Sequence, residues 1–175
     1  MNMKRASIFA GTVGGFAIAS SALAGMNGLS ADLVGEDLVA GTYTVRVYAE
    51  VDADNRLDAV FGNSVYALSM TYLNGASAYQ NSLGGNTSQA INPAFFPLAP
   101  SLEWDSYVTI GALYSDGSPF AENKLLDIGI DWSSFEGGNA IDTDNGSWFV
   151  TPADPQGGEI GGRVLIGQFT VVGGS

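Results

Sequence analysis

The sequence predicts an all-β domain, an antiparallel β-sandwich of jelly-roll or Ig-like type with about seven strands. Three observations support this prediction. Side chains alternate in character between Thr42 and Val51, further short apolar runs are separated by turn residues, and most of the 24 glycines fall between these runs. A period of two is typical of strands, and short strands separated by turns favour a sandwich over a barrel. No convincing helical pattern follows residue 24.

The first 24 residues predict a cleavable secretory signal peptide. A basic start is followed by a small, apolar stretch at 8–19, and Ala22-Leu23-Ala24 fits the small-x-small cleavage pattern. An uncleaved membrane anchor is the alternative, because no charged residue lies between Ala6 and Ala31. The apolar centre is short for a membrane span. We therefore expect a secreted protein, in the extracellular medium, at the cell surface or in the periplasm.

The 175 residues suit one domain after processing. We expect a signal peptide at 1–24, a flexible lead-in at 25–37, a single β-sandwich at 38–172 and a tail at 173–175. The expected strands cover 42–51, 57–61, 66–72, 104–113, 125–132, 148–151 and 163–172. The Asn74-Gly75 pair predicts a turn after the third strand. Residues 75–101 predict a long loop anchored by its aromatic residues, and 152–162 a second Gly- and Pro-rich link.

Charge and composition exclude several functions. The chain has 18 acidic and 6 basic residues, a net charge of −12, which disfavours nucleic acid and anionic membranes as partners. It has no Cys and no His, so Ser-His-Asp triads, Cys-His pairs and His-ligated zinc sites are ruled out. We expect no membrane association after cleavage. Polysaccharides and envelope or matrix proteins are the expected partners, and calcium is the one candidate cofactor.

Two acidic clusters are candidate calcium sites. The first contains Asp52, Asp54 and Asp58, and the second contains Asp142 and Asp144. Alternate carboxylates in a tight loop can supply several of the six to eight oxygen ligands that calcium takes. Neither cluster completes a known motif: Arg56 interrupts the first, and the second lacks a closing Glu. The alternative is ordinary turn chemistry, since Asp and Asn favour turns.

A carboxylate pair, Glu103 and Asp105, flanks Trp104. In a strand both would project on the face opposite Trp104, about 6.5–7 Å apart at Cα. That spacing does not exclude a glycosidase pair. The alternative is an acidic pair that faces solvent.

Three tryptophans could form a sugar-stacking platform, although aromatic residues at strand spacing are more often part of a core. They are Trp104, Trp132 and Trp148. Of the three, we expect Trp148 to be the exposed one, because it follows the second acidic cluster. We therefore name Trp148 as the candidate ligand-binding residue.

Three segments resemble secreted proteins of planctomycete-type marine bacteria. They are Thr44-Val45-Arg46-Val47-Tyr48-Ala49, residues 100–111 (PSLEWDSYVTIG) and residues 162–171 (GRVLIGQFTV). The resemblance covers most of residues 29–172 and implies bacterial export. That group has no established activity and no assigned catalytic residues, so the resemblance implies no site in this chain.

Three function classes remain open. The first is a non-enzymatic extracellular or cell-surface β-sandwich protein with a structural or adhesive role, stabilised by calcium or not, that binds through loops such as 75–101 and 137–147. The second is a carbohydrate-binding module. The third is a glycoside hydrolase that uses carboxylates alone. The absence of His and Cys favours a protein that is not an enzyme.

Overall fold

A computed structural model of the chain describes residues 16–18 and 25–173. The described part consists mainly of antiparallel strands with few helices, which confirms the prediction of an all-β fold. The sandwich arrangement stays a prediction. The strands are β1 (Phe16–Ile18), β2 (Met26–Glu36), β3 (Thr42–Val51), β4 (Ala59–Gly62), β5 (Leu68–Tyr72), β6 (Ser77–Ala78), β7 (Tyr107–Val108), β8 (Leu126–Ile128), β9 (Asp142–Thr143), β10 (Gly146–Phe149) and β11 (Arg163–Val172).

These strands form three sheets. The largest has the order β2-β3-β11-β6, and β7 also pairs with β11. Two three-stranded sheets have the orders β4-β10-β8 and β1-β5-β9. The described part contains one α-helix, α1 (Trp132–Glu136), which has five residues. Short 3-10 helices also lie between the strands, at Ser88–Ala90, Pro93–Phe95, Pro100–Trp104 and Pro155–Gly157.

The centre of the large sheet is the pair β3–β11, whose bounds agree with the predicted strands. Arg163 lies opposite Glu50 and Leu165 opposite Tyr48, but Gln168 lies opposite Arg46 because a β-bulge interrupts the register between Leu165 and Gly167. Bulges insert one extra residue into one strand of a pair. The bulge therefore places Arg163, Leu165 and Gln168 on the same face as Arg46 and Tyr48. We call this face of the sheet the outer face.

The opposite, inner face carries the main hydrophobic core. Alternate β3 residues are buried there, which confirms the alternation seen in the sequence. The same cluster includes Phe135 of α1 and Trp148 of β10. Residues from the large sheet, from both smaller sheets and from α1 thus share one core, whose β3 and β11 members are Val45, Val47, Ala49, Val51, Val164, Ile166, Phe169 and Val171.

Part of the outer face is covered by the long loop predicted at 75–101 and its continuation. A second, smaller cluster lies there, formed by the buried residues Ile91, Leu102 and Tyr107, with Phe96 and Tyr114 packed against it. Phe96 and Tyr114 meet edge to face with their ring centroids 5.1 Å apart. The loop is therefore anchored by aromatic residues, as predicted, and it covers the sheet. We call residues 79–105 the cover.

The flexible lead-in predicted at 25–37 is wrong. Met26–Glu36 forms β2, which pairs antiparallel with β3 along its length. Register shifts occur after Met26 and after Leu33, next to Gly28 and Gly35. Among the described strands, β2 lies at the end of its sheet and has β3 as its one neighbour. Its bulges and its glycines hide the alternation that a regular strand would display.

The strand predicted at 104–113 is also wrong for most of its length. Pro100–Trp104 is a 3-10 helix, which begins at a proline, and only Tyr107–Val108 is a strand. Proline fixes its own φ near the helical value and suits the first turn of a helix. The prediction followed the apolar residues and overlooked this start signal.

The strand predicted at 125–132 ends at Ile128, and Trp132 begins α1. Gly129 has a φ of +72°, and a Cβ there would lie 2.1 Å from the carbonyl oxygen of Asn145, so the backbone turns where only glycine fits. The Asp131 side chain caps α1 by accepting a hydrogen bond from the Ser134 N–H. This short helix was not predicted.

The face of β8 differs from the expected one. Leu126 is 47% exposed and Ile128 is 68% exposed, although their spacing is typical of a buried face. Asp127 lies opposite the buried Trp148, so its neighbours Leu126 and Ile128 lie on the solvent side of the small sheet. The turn predicted at Asn74-Gly75 is confirmed: both residues have positive φ, and the Ala76 N–H donates to the Leu73 carbonyl oxygen.

The predicted signal peptide lies outside the described residues, except for Phe16–Ile18, which pairs with β5. Gly174 and Ser175 of the predicted tail also lie outside them. In the part that the structure describes, no helix is long and apolar enough to cross a membrane.

Candidate functional site

The first acidic cluster forms a turn between β3 and β4. The Asp52 carboxylate accepts a hydrogen bond from the Asn27 side chain at 2.8 Å, and Asp54 has a φ of +64°. The Asp58 carboxylate accepts from Arg56 Nε at 2.7 Å. Two of the three carboxylates therefore have partners within the protein, and the third stands on a turn.

The second acidic cluster lies at β9 and the turn after it. Asp142 lies opposite Ser69 of β5, and both Asp142 and Asp144 are exposed. Within residues 16–18 and 25–173, no three carboxylates are grouped so that they could hold a metal ion. Calcium binding at either cluster stays a prediction, which a melting experiment can decide.

The expected exposure of Trp148 is wrong. Trp148 is only 2% exposed, and its indole N–H donates to the Thr109 carbonyl oxygen at 3.0 Å. It lies on the middle strand of the β4-β10-β8 sheet, on the side that faces the core. A buried indole with a satisfied N–H cannot offer a stacking surface to a sugar. Trp104 and Trp132 are half-buried, and Trp132 Nε1 donates to Asp127 at 2.7 Å.

The expectation that Glu103 and Asp105 form an acidic pair facing solvent is wrong for Asp105. Asp105 is fully buried, and its carboxylate accepts the backbone N–H groups of Asn81, Gly85 and Ser106 at 2.7, 3.0 and 3.0 Å. Burial raises the pKa of Asp105 to about 7, although these three hydrogen bonds lower it. The carboxylate thus fastens the two ends of the cover, and no substrate reaches it.

Glu103 is half-buried, and its carboxylate accepts a hydrogen bond from the Tyr114 hydroxyl at 3.2 Å. Burial raises the pKa of Tyr114, the nearby Glu103 raises it further, and Arg46 opposes that rise. Glu103, Tyr114 and Arg46 therefore lie together at the border between the cover and the uncovered part of the outer face.

That uncovered part is a cleft of about 200 Å³, which we call the sheet cleft. Its floor is the outer face of the β3–β11 pair, where Arg46, Tyr48, Arg163 and Leu165 lie. Its walls come from the segment after β7 and from the loop before β11. The wall residues are Gly111, Leu113, Pro119, Phe120, Gly158 and Ile160.

Two arginines define the electrostatics of the sheet cleft. The Arg163 guanidinium lies 3.9 Å from the centroid of the Tyr48 ring and forms an ion pair with Asp32 at 2.8 Å. Arg46 Nε donates to the buried Gln168 side chain at 3.0 Å. In the described part of the chain, no carboxylate lies within 4.0 Å of the Arg46 guanidinium. No acidic residue of the described part lines the cleft, but Asp32 and Glu50 lie beside Arg163 on the same face of the sheet.

Gln168 connects the sheet cleft to the cover. Its side-chain N–H₂ group donates to the Glu103 and Asp105 carbonyl oxygens at 2.9 and 3.1 Å, while its oxygen accepts from Arg46. Every hydrogen-bonding group of a buried amide should be satisfied. Arg46 is therefore held in place by a fully used side chain, and its position depends on the cover.

Sequence reasoning missed Arg46, Tyr48 and Arg163 as site residues. The signal that could have found them is the scarcity of basic residues after residue 24, namely Arg46, Arg56, Lys124 and Arg163. Two of these four line one cleft. No family model matches the chain, and no curated protein and no solved structure matches it significantly.

Proposed function

We propose that this protein is a secreted, non-enzymatic binding protein of the cell surface or the surrounding matrix, whose ligand occupies the sheet cleft. The observation that carries the proposal is the cleft itself, an open concavity whose arginines are already held by Tyr48, Asp32 and Gln168. Side chains that are fixed before binding lose little entropy when a ligand arrives. A rigid sheet is a suitable floor for such a site.

The positions of Glu103 and Asp105 favour a binding function over catalysis. Asp105 is fully buried and bound by three backbone N–H groups, so it supports the cover and leaves Glu103 without its expected partner. A glycosidase needs two carboxylates across the substrate. No acidic residue lines the sheet cleft.

Among binding functions, the cleft favours recognition of a carbohydrate. Its walls combine apolar side chains, such as Leu113 and Phe120, with polar groups on the floor. Sites for small molecules are mostly apolar with a few placed polar groups. An adhesive role follows if the carbohydrate belongs to a matrix or to another cell.

Affinity electrophoresis in gels that contain soluble polysaccharides tests the proposal. The panel is dextran, xylan and polygalacturonate, and the processed protein is expected to be retarded by at least one of them. Leu113→Trp narrows the cleft and should abolish the retardation. Leu83→Trp adds the same ring at a residue that is 60% exposed and outside the cleft, and should not change it. Retention of full retardation by a folded Leu113→Trp variant, or no retardation in any gel, contradicts the proposal.

Calcium stabilisation is a separate part of the proposal, supported only by the acidic clusters at 52–58 and 142–144. A single site at a hundredfold excess of calcium over its dissociation constant adds about 2.7 kcal/mol to the free energy of unfolding. Thermal melts in chelator and in millimolar calcium measure this directly. A higher melting temperature in calcium that Asp142→Asn removes supports calcium binding at the second cluster. Identical melts contradict it.

A structural role is a second candidate function, and one observation favours it. The solvent side of the β4-β10-β8 sheet exposes Phe61, Leu126 and Ile128, which are 47%, 47% and 68% exposed. Contiguous apolar patches mark contact surfaces. Light scattering of the processed protein at increasing concentration tests this role, with Ile128→Thr as the variant that should reduce association. A monomer at every concentration contradicts it.

A further inference from the structure

We propose that the sheet cleft selects an acidic saccharide, and that Arg46 and Arg163 bind its carboxylate groups. This inference rests on the proposed function, and it adds the chemical class of the ligand. Its first support is the distribution of charge. The chain has a net charge of −12, yet two of its few basic side chains lie in this cleft and no acidic side chain lines it.

That distribution makes the cleft the favoured site for an anion. An acidic ligand is repelled by most of the surface, whereas the lining of this cleft carries two arginines and no carboxylate, with Asp32 and Glu50 beside Arg163 at its margin. Nucleic acid is a poor alternative, because its dense phosphate charge requires many basic contacts over an extended surface. A small number of carboxylates on a sugar chain matches two guanidinium groups.

The arrangement of Arg163 suits the binding of a carboxylate. Its guanidinium is held between the Tyr48 ring, at 3.9 Å, and Asp32, at 2.8 Å, and its side chain is 35% exposed. A guanidinium has five N–H donors in a rigid plane, and the bond to Asp32 is made through Nη2. The remaining donors can bind a ligand without a change of rotamer.

Arg46 forms no ion pair in the described residues. Its partners Gln168 and Tyr114 are neutral, and no carboxylate lies within 4.0 Å of its guanidinium, although Glu103 binds Tyr114 and Asp32 lies opposite Arg46 on β2. Arg46 and Tyr48 are next-but-one neighbours on β3, with Cα atoms about 6.5–7 Å apart. The two guanidiniums therefore flank Tyr48 on one floor and can contact neighbouring units of one chain.

The walls argue for a sugar ring rather than a bare inorganic anion. Leu113 and Phe120 of the walls, with Leu165 of the floor, line the cleft beside the arginines. The faces of a pyranose ring carry C–H groups that pack on apolar and aromatic side chains, while a carboxylate at its edge reaches a guanidinium. A uronic acid unit combines both features.

Isothermal titration with oligogalacturonate and with its methyl-esterified form tests the inference. The two probes share a backbone and differ in charge. We expect the acidic oligomer to bind at least tenfold more tightly at low salt, and the difference to shrink as ionic strength rises. Dextran sulfate is a third probe, which separates carboxylate recognition from general attraction to polyanions.

The variants are Arg46→Gln and Arg163→Gln. The control outside the cleft is Lys124→Gln, which also removes one positive charge and whose side chain is 59% exposed. Each cleft variant is expected to weaken binding of oligogalacturonate about tenfold, and to leave weak binding of the methyl ester unchanged. Lys124→Gln should bind like the wild type. Thermal melts check that each variant is folded. If Arg46→Gln does not fold, Arg163→Gln alone tests the inference.

The outcomes separate the inference from the proposed function. Equal affinity for the two galacturonate forms, lost in Leu113→Trp, overturns the acidic ligand and leaves the binding function intact. The acidic-saccharide inference is also overturned if oligogalacturonate does not bind, and if dextran sulfate binds equally to the wild type and to the variant that combines Arg46→Gln with Arg163→Gln. Absence of binding by every saccharide overturns both.

Discussion

The two faces of the β3–β11 pair are stabilised by different interactions. The inner face is held by apolar contacts among residues such as Val47, Phe169 and Phe135, all buried in one core. The outer face is held by hydrogen bonds and by a smaller apolar cluster where the cover lies on it, and it is open at the sheet cleft. Apolar packing tolerates rearrangement, whereas buried hydrogen bonds demand fixed partners. The inner face thus supplies most of the stability, and the outer face fixes the positions of the site residues.

The largest effect should come from the inner face. Phe135→Ala removes a fully buried ring that lies edge to face with Phe169, with centroids 6.4 Å apart, and with Trp132. We expect the free energy of unfolding to fall by about 3–5 kcal/mol, because a large cavity remains in the core. Urea denaturation measures the change. A loss below about 1 kcal/mol would show that α1 contributes little to the core.

The next effect concerns the cover and its pH dependence. Burial raises the pKa of Asp105 from 3.8 to about 7, so between these values the native state binds a proton that the unfolded state has released. The free energy of unfolding should therefore fall as pH rises from about 4 to about 7, by at most about 1.4 kcal/mol per pH unit from this group. Above pH 7 its contribution should be constant.

Urea denaturation at pH 5 and pH 8, on the wild type and on Asp105→Asn, measures this contribution. The variant loses one acceptor oxygen among three N–H donors, so it should be less stable at both values, but its loss of stability between them should be smaller. Parallel pH profiles for the two proteins would contradict a titrating Asp105. Titration of the Asp105 carboxyl carbon by NMR gives a second readout if the variant does not fold.

A smaller effect on the free energy of unfolding is expected from a buried hydrogen bond on the outer face. The hydroxyl groups of Thr44 and Thr170 lie 2.7 Å apart across β3 and β11, and both residues are fully buried. Thr170→Val leaves the Thr44 hydroxyl without this partner and should cost about 1–3 kcal/mol. Thr44→Val together with Thr170→Val should cost less than the single change, because both polar groups are gone. Additive losses in thermal or urea melts would contradict the comparison.

The smallest effect on stability belongs to the edge of the sheet cleft. Asp32→Asn removes the ion pair with Arg163, whose two side chains are 48% and 35% exposed. Pairs this exposed contribute less than about 1 kcal/mol. Titration with oligogalacturonate should instead show affinity a few-fold lower, because Asp32 holds Arg163 in its binding position. Tighter binding would mean that the negative charge of Asp32 beside the cleft matters more than its hold on Arg163.

The sequence predicted the two long central strands and missed those that are short or lie at an edge. Thr42–Val51 alternates along its length, Arg163–Val172 is a long and largely apolar run, and both are strands with those bounds. Met26–Glu36 is an edge strand with two register shifts, and Tyr107–Val108 is only two residues long. Neither leaves a clear period in the sequence.

The site could not be predicted for a related reason. Trp148 was misplaced because exposure depends on which face of its strand meets the core, and that is decided by sheets far away in sequence. The neighbourhood of Arg46 and Arg163, which are more than a hundred residues apart, depends on the register of β3 with β11. Asp105 was assigned to the surface because charge suggested it, whereas its partners lie in the backbone at 81, 85 and 106.

The bulge between Leu165 and Gly167 has one further consequence. Before it, odd-numbered residues of β11 such as Arg163 and Leu165 point to the outer face, and after it the even-numbered residues Gln168 and Thr170 do so. The strand thus changes phase at the boundary between the open and the covered halves of that face. A single extra residue lets one continuous strand place an arginine in the sheet cleft at one end and an amide against the cover at the other.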